Sequence, residues 1–121
     1  PKVIIHVRTV MALMPFGNTI IATELDGTTV RTVVETGTRP VVGGLIRRGN
    51  RWILSARGEE LDDSKTYRVL VNSFMYAGGD GYNIIPETDP DGFDTGINYR
   101  QPFQDWLSAQ NTSEQNPLRL N

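Results

Sequence analysis

The sequence predicts an α+β domain, a mixed sheet accompanied by a few short helices, and three stretches carry that prediction. "YRVLVNSF" holds the clearest strand-like run, Tyr67 to Val71. "VVGGLIRR" and "RWILSA" are two apolar runs around Gly49-Asn50, the pattern of a β-hairpin. "YRQPFQDWLSAQ" places Phe103, Trp106 and Leu107 on one face of a short amphipathic helix. With 121 residues, the chain suits one domain, 1–121, able to bury a core without metal or disulfide staples.

Taken in order, "VIIHVRTVMALMPFGN" is ambiguous. Val3 to Ile5 is a β-branched cluster, whereas Val10, Leu13 and Met14 have helical spacing. Pro15 ends any helix there, because it lacks a donor and disfavours the α region for Met14. The Pro15-Phe16-Gly17-Asn18 block turns the chain toward the next strand, with Phe16 expected in the core. Thr19 to Leu25 reads as a strand, and Asp26-Gly27 as a turn or a helix start. A short helix from about Thr28 to Thr36 follows, stopped by Gly37. After the hairpin, "EELDDSKT" is an acidic, polar connection to the Tyr67 strand. "PETDPDGFDTGIN" has two prolines and two glycines among polar residues and reads as a long surface loop. Trp52 and Trp106 are expected to pack.

Composition removes several functions. A net charge of -2 gives no electrostatic case for nucleic acid or an anionic membrane as partner. With no cysteine, thiolate catalysis, disulfides and cysteine-based zinc sites are excluded. The one histidine, His6, cannot supply the converging ligands of a metal site and reads as structural or surface. It also leaves no Ser-His-Asp set to argue for, and neither a Gly-x-Ser-x-Gly elbow nor a phosphate loop occurs. Asp89, Asp91 and Asp94 suggest a calcium loop only superficially, since the later Gly and Glu positions are missing. Arg47, Arg48 and Arg51 flank the hairpin tip, where charge is ordinarily solvated. No stretch approaches the roughly 18 apolar residues of a membrane span.

"FMYAGGDGY" is the one stretch with chemistry to assign. Glycine is costly to order, so Gly78, Gly79 and Gly81 serve a tight backbone path or the close approach of something else. Asp80 between them can aim a carboxylate at a sugar hydroxyl or a base nitrogen. Phe74 and Tyr76, two apart, share a face if the chain is extended, and one of them can stack on a flat ring. By composition alone a structural turn remains the stronger competitor.

"YRVLVNSFMYAGGDGYNII", preceded by "LMPFGNTIIATELDGTTV" and with "TGTRPVVGGLIRR" between, resembles the C-terminal domain of the 5'-nucleotidase family, from about Val7 to Leu107. That family includes UDP-sugar hydrolases and 2',3'-cyclic-nucleotide phosphodiesterases. The resemblance implies a substrate-specificity domain, itself without catalytic residues, downstream of a metallophosphoesterase domain that holds two divalent metal ions. It implies a nucleoside or nucleotide ligand, with Phe74 stacking on the base, Asp80 contacting the ribose hydroxyls, and Gly78, Gly79 and Gly81 shaping the loop. The family's second stacking aromatic falls on Arg39 in this alignment, and a guanidinium can lie flat on a base. The family's Asn-Gly-Gly-x-Ile-Arg motif is expected upstream of residue 1. The chain on its own is expected to be an inactive piece of a periplasmic, cell-surface or secreted hydrolase, with a homodimer left open. The competing expectation is a scaffold or dimerisation module that keeps the fold without the ligand.

Overall fold

The computed structural model describes residues 16–36 and 40–110, together with Gln115. Expectations for His6, for Val3 to Pro15, for Gly37 and for Arg39 lie outside the described residues. The class is α+β. A three-stranded sheet in the order β4-β1-β5 stands beside a separate hairpin, β2-β3, and every pairing among the described strands is antiparallel.

Strand β1 (Thr19–Asp26) alternates as expected of a half-buried strand: Ile21, Thr23 and Leu25 point inward. It ends because Asp26, in extended conformation, accepts the Thr29 N–H at 3.1 Å and so caps helix α1 (Gly27–Glu35). Asp26-Gly27 is therefore a helix start, and Val30, Val33 and Val34 form the helix's buried stripe. Hairpin strands β2 (Leu45–Arg48) and β3 (Arg51–Leu54) pair from Leu45↔Leu54 to Arg48↔Arg51 around the two-residue turn Gly49-Asn50. Trp52 is buried as expected and donates its indole N–H to Glu35 Oε1 at 2.8 Å, fastening the hairpin to α1. Arg47 lies over the Trp52 ring and bonds the Gly49 carbonyl, which leaves the tip's other arginines to solvent and to Glu60.

Strand β4 (Thr66–Asn72) pairs with β1 from Asp26↔Thr66 to Ile20↔Asn72. Helix α2 (Ser73–Tyr76), a Gly79–Gly81 turn and helix α3 (Ile84–Thr88) follow directly. Leu25 and Ile85, both fully buried, centre the core between the sheet's inner face, α1 and α3.

Four expectations change. The strand stops at Asn72 and Phe74 begins a helical turn, so Phe74 and Tyr76 do not share a face of extended chain. The Asn72 side chain accepts the Met75 N–H at 2.8 Å and diverts the backbone. The expected surface loop instead contains α3 and strand β5 (Phe93–Asn98). Pro86 fits the first turn of α3, where its missing donor is not needed. Strand β5 has few apolar residues because it is an exposed edge, held by Thr95 Oγ1 donating to the Ile20 carbonyl at 2.7 Å and Tyr99 N–H donating to that of Asn18 at 2.9 Å. Phe16 is not in the core: it is 68% exposed. Helix α4 (Gln101–Ala109) forms where expected, yet none of its residues is buried, and Trp106 is half exposed with its ring stacked on Phe103.

Candidate functional site

The stretch beginning at Asn72 is built by three consecutive side chains with different tasks. Asn72 caps α2. Ser73 occupies the place next along the β1–β4 ladder, but its carbonyl has turned into the helix and accepts from Ala77 N–H at 3.0 Å. Its hydroxyl takes over: Oγ accepts the Thr19 N–H at 3.1 Å and donates to Asn18 Oδ1 at 3.2 Å. Phe74 is then left on the outer side of the turn, half exposed.

The glycines answer to different constraints. Gly78 (φ 91°) and Gly81 (φ 84°) occupy the left-handed region that favours glycine. Gly79 is needed for space: a Cβ there would stand 2.5 Å from Cε1 and Cζ of Phe74 and 2.6 Å from Cε2. The far half of the Phe74 ring therefore lies over bare backbone. Between these glycines Asp80 has φ 56° and ψ 23°, the only positive-φ residue other than glycine among those described. Aspartate tolerates this conformation better than most residues, but it is sparsely populated and marks a place where surroundings dictate the backbone. The loop is held from below by Tyr82, which is buried and whose N–H bonds the Gly79 carbonyl at 3.3 Å. Tyr76, released from any stacking role, accepts the Gly92 N–H at 3.0 Å and donates to the Asp89 carbonyl at 2.7 Å, tying α2 to the turn before β5.

The structure thus brings together Phe74, Gly78, Gly79, Asp80 and Gly81 as an open platform: an aromatic ring on a glycine cradle with an exposed carboxylate six residues on. Among the described residues no hydrogen bond or ion pair engages the Asp80 carboxylate, so both oxygens can accept from a ligand's hydroxyls. Two concavities of the surface lie elsewhere. One is lined by Thr23, Glu24, Arg68, Asp89, Asp91 and Phe93, the other runs along β4 beneath Pro40 to Leu45. Asp89 is engaged in the first, accepting from the Glu24 and Asp91 N–H groups.

Sequence reading missed Phe16. It is exposed at the start of β1, two residues before the Asn18 whose side chain bonds Ser73, the neighbour of Phe74 in the chain. The available signal was the unusual order of the block itself: a large aromatic between proline and glycine, before the strand's alternation begins, has no place in the inward pattern of Ile21, Thr23 and Leu25. Among the described residues no group of three or more acidic or imidazole side chains is placed to hold a metal ion, and no helix is long and apolar enough to cross a membrane.

Comparison with known proteins places this geometry in context. The sequence model described as "5'-nucleotidase, C-terminal domain" matches residues 3–87. The chain is 30% identical over 100 residues to the trifunctional nucleotide phosphoesterase protein YfkN of Bacillus subtilis, an alignment covering 64% of this chain and 7% of that protein. It is 31% identical over 101 residues to the silent protein UshA(0) of Salmonella typhimurium, covering 74% of this chain and 18% of that protein. Among solved structures, a 5'-nucleotidase precursor from Thermus thermophilus superposes with a TM-score of 0.78 at 29% identity, over 91% of this chain and 26% of that one. The NAD nucleotidase of Haemophilus influenzae superposes with a TM-score of 0.72 at 25% identity, over 84% of this chain and 24% of that one. The chain spans less than a fifth of the length of these curated relatives.

Proposed function

The chain belongs to the 5'-nucleotidase family as its C-terminal domain, and from that premise we propose that it binds the nucleoside part of a nucleotide and positions it for hydrolysis by another domain. The observation that carries the reading is the Phe74–Asp80 platform: a half-exposed ring cushioned on Gly79, beside an unengaged carboxylate held in a left-handed backbone. A base stacks on the ring and the ribose hydroxyls donate to Asp80. An open platform covers one face of a base, and in this reading the exposed Phe16, linked to Ser73 through Asn18, covers the other. Arg39, which the resemblance sets in place of the second stacking aromatic, is in this reading a cationic contact to the ligand and not the second stack.

The chain's contribution is positional. Binding energy from the remote base and ribose aligns the phosphate with the reacting centre, and no residue here acts on the phosphoester itself. Two divalent metal ions and the attacking water belong, in this reading, to an upstream metallophosphoesterase domain of the same protein. Export to the periplasm, the cell surface or the medium is part of the same proposal.

The test is an amide NMR titration with adenosine, AMP and UDP-glucose. Shifts confined to Phe16, Asn18 and Phe74 to Tyr82 are the expected result, and their ranking reads out the preferred base or sugar. No localised shift at millimolar ligand, in this chain and in a form extended upstream, would reduce it to a scaffold with the family's fold.

A further inference from the structure

We propose that Ser73 and Asn18 are positioning residues that fix the two exposed rings, Phe16 and Phe74, relative to each other. The inference rests on the nucleoside reading for its ligand arm only. Its basis is a junction of three chain segments. Asn18 is two residues after Phe16, and Ser73 immediately precedes Phe74. The Ser73 hydroxyl donates to Asn18 Oδ1 at 3.2 Å and accepts the Thr19 N–H at 3.1 Å, while the Asn18 carbonyl accepts the Tyr99 N–H at 2.9 Å. The start of β1 and the start of α2 thus meet at one side-chain pair, and the end of β5 is held to the main chain of the same Asn18.

The regular ladder cannot do this. It ends at Ile20↔Asn72, and beyond it the β4 backbone has turned into α2. Past that point Phe16 lacks strand pairing and Phe74 sits on a helix of four residues. A ring on a single helical turn and a ring on the segment before a strand would otherwise vary independently. One hydroxyl that both accepts and donates makes their separation a property of the fold, which a two-sided contact with a flat ligand requires.

The experiment replaces the four phenylalanines of the chain with 4-fluorophenylalanine and compares Ser73→Ala and Ser73→Thr with the parent by fluorine NMR, thermal melting and adenosine titration. Ser73→Ala is expected to move or broaden the Phe16 and Phe74 lines while Phe93 and Phe103, neither of them next in sequence to Asn18 or Ser73, keep theirs. Adenosine affinity should fall about five- to tenfold, the loss of roughly one hydrogen bond's worth of ordering. Ser73→Thr keeps the hydroxyl and should restore both. Unchanged Phe16 and Phe74 lines in Ser73→Ala, or all four lines moving together with a collapse of the melting temperature, would overturn the inference. If the parent itself ignores adenosine, the nucleoside reading fails while the fluorine lines still decide whether the pair fixes the rings.

Discussion

Gly79→Ala separates the ligand role of the Phe74 ring from its role in stability. The new Cβ would sit 2.5 to 2.6 Å from three ring carbons, against an ordinary carbon–carbon contact of about 3.5 to 4.0 Å. The ring must retreat by about 1 Å, the difference between those two separations. The atoms struck are the far end of a half-exposed side chain, and φ at Gly79 is not positive, so alanine itself is not strained there. Rotation of Phe74 therefore relieves the clash at a cost to stability of under about 1 kcal/mol. A base stacked on that ring fares worse: stacking on an aromatic contributes about 1 to 3 kcal/mol, so losing it weakens binding by at least about fivefold. The control is Gly81→Ala, where nothing lies within 4 Å of a new Cβ but φ is 84°. That variant should lose about 1 to 2 kcal/mol of stability through backbone strain without pushing the ring. Chemical denaturation and adenosine titration of both variants separate the two effects. Parent-like affinity in Gly79→Ala, with the ring shown to have moved, would refute Phe74 as the stacking platform.

The β1, α1, hairpin and β4 elements were legible in the sequence because each has strong local punctuation: Ile21-Thr23-Leu25 alternation, the Asp26 cap, Gly49-Asn50 and the run from Tyr67. Strand β5 was not, because pairing with β1 creates it. Phe93 and Ile97 remain exposed, so burial leaves no period-2 signature, and the Asp-Pro-Asp-Gly turn before it suggested loop. The boundary at Asn72 was missed for a related reason. A β-rich run followed by Asn-Ser reads equally as strand continuation or helix cap; here Asn72 caps, and the Ser73 hydroxyl bonds Asn18 and Thr19, more than fifty residues away. The glycine loop and its aspartate stood out in the sequence as a candidate site. The division of labour inside it was not: Gly79 serves space, Gly81 serves conformation and Gly78 serves both, with Asn83 Oδ1 where its Cβ would stand, and only the folded chain sets these apart. Phe16 escaped because the Pro-Phe-Gly order, which sets it outside the inward pattern of β1, reads equally as a turn that packs its aromatic.

Three further outcomes follow from the same geometry. Tyr76→Phe loses bonds to the Asp89 carbonyl and the Gly92 N–H and should cost about 1 to 2 kcal/mol of stability by denaturation, with little change in adenosine affinity. Asp26 is held below its ordinary value of 3.8, first by its side-chain hydrogen bond with Thr29 and then by the Thr29 N–H, with a smaller opposing effect of burial. A depressed folded pKa means that this contribution is present above the unfolded value and is lost as pH falls through the folded one. Parent stability should therefore drop on acidification below about pH 3.8, and Asp26→Asn, an equally good cap, should lose that part of the drop. Asp80 closes the set with a pair of substitutions that pull stability and binding apart. Asp80→Gly removes the cost of φ 56° and should gain up to about 1 kcal/mol of stability while losing the ribose contact. Asp80→Asn keeps the side chain's tolerance of that backbone and its shape, so stability should hold, yet one oxygen becomes a donor and adenosine affinity should fall about tenfold. If Asp80→Gly instead destabilises the fold and leaves nucleoside binding untouched, the left-handed aspartate is a structural turn and the ligand assignment at this position is wrong.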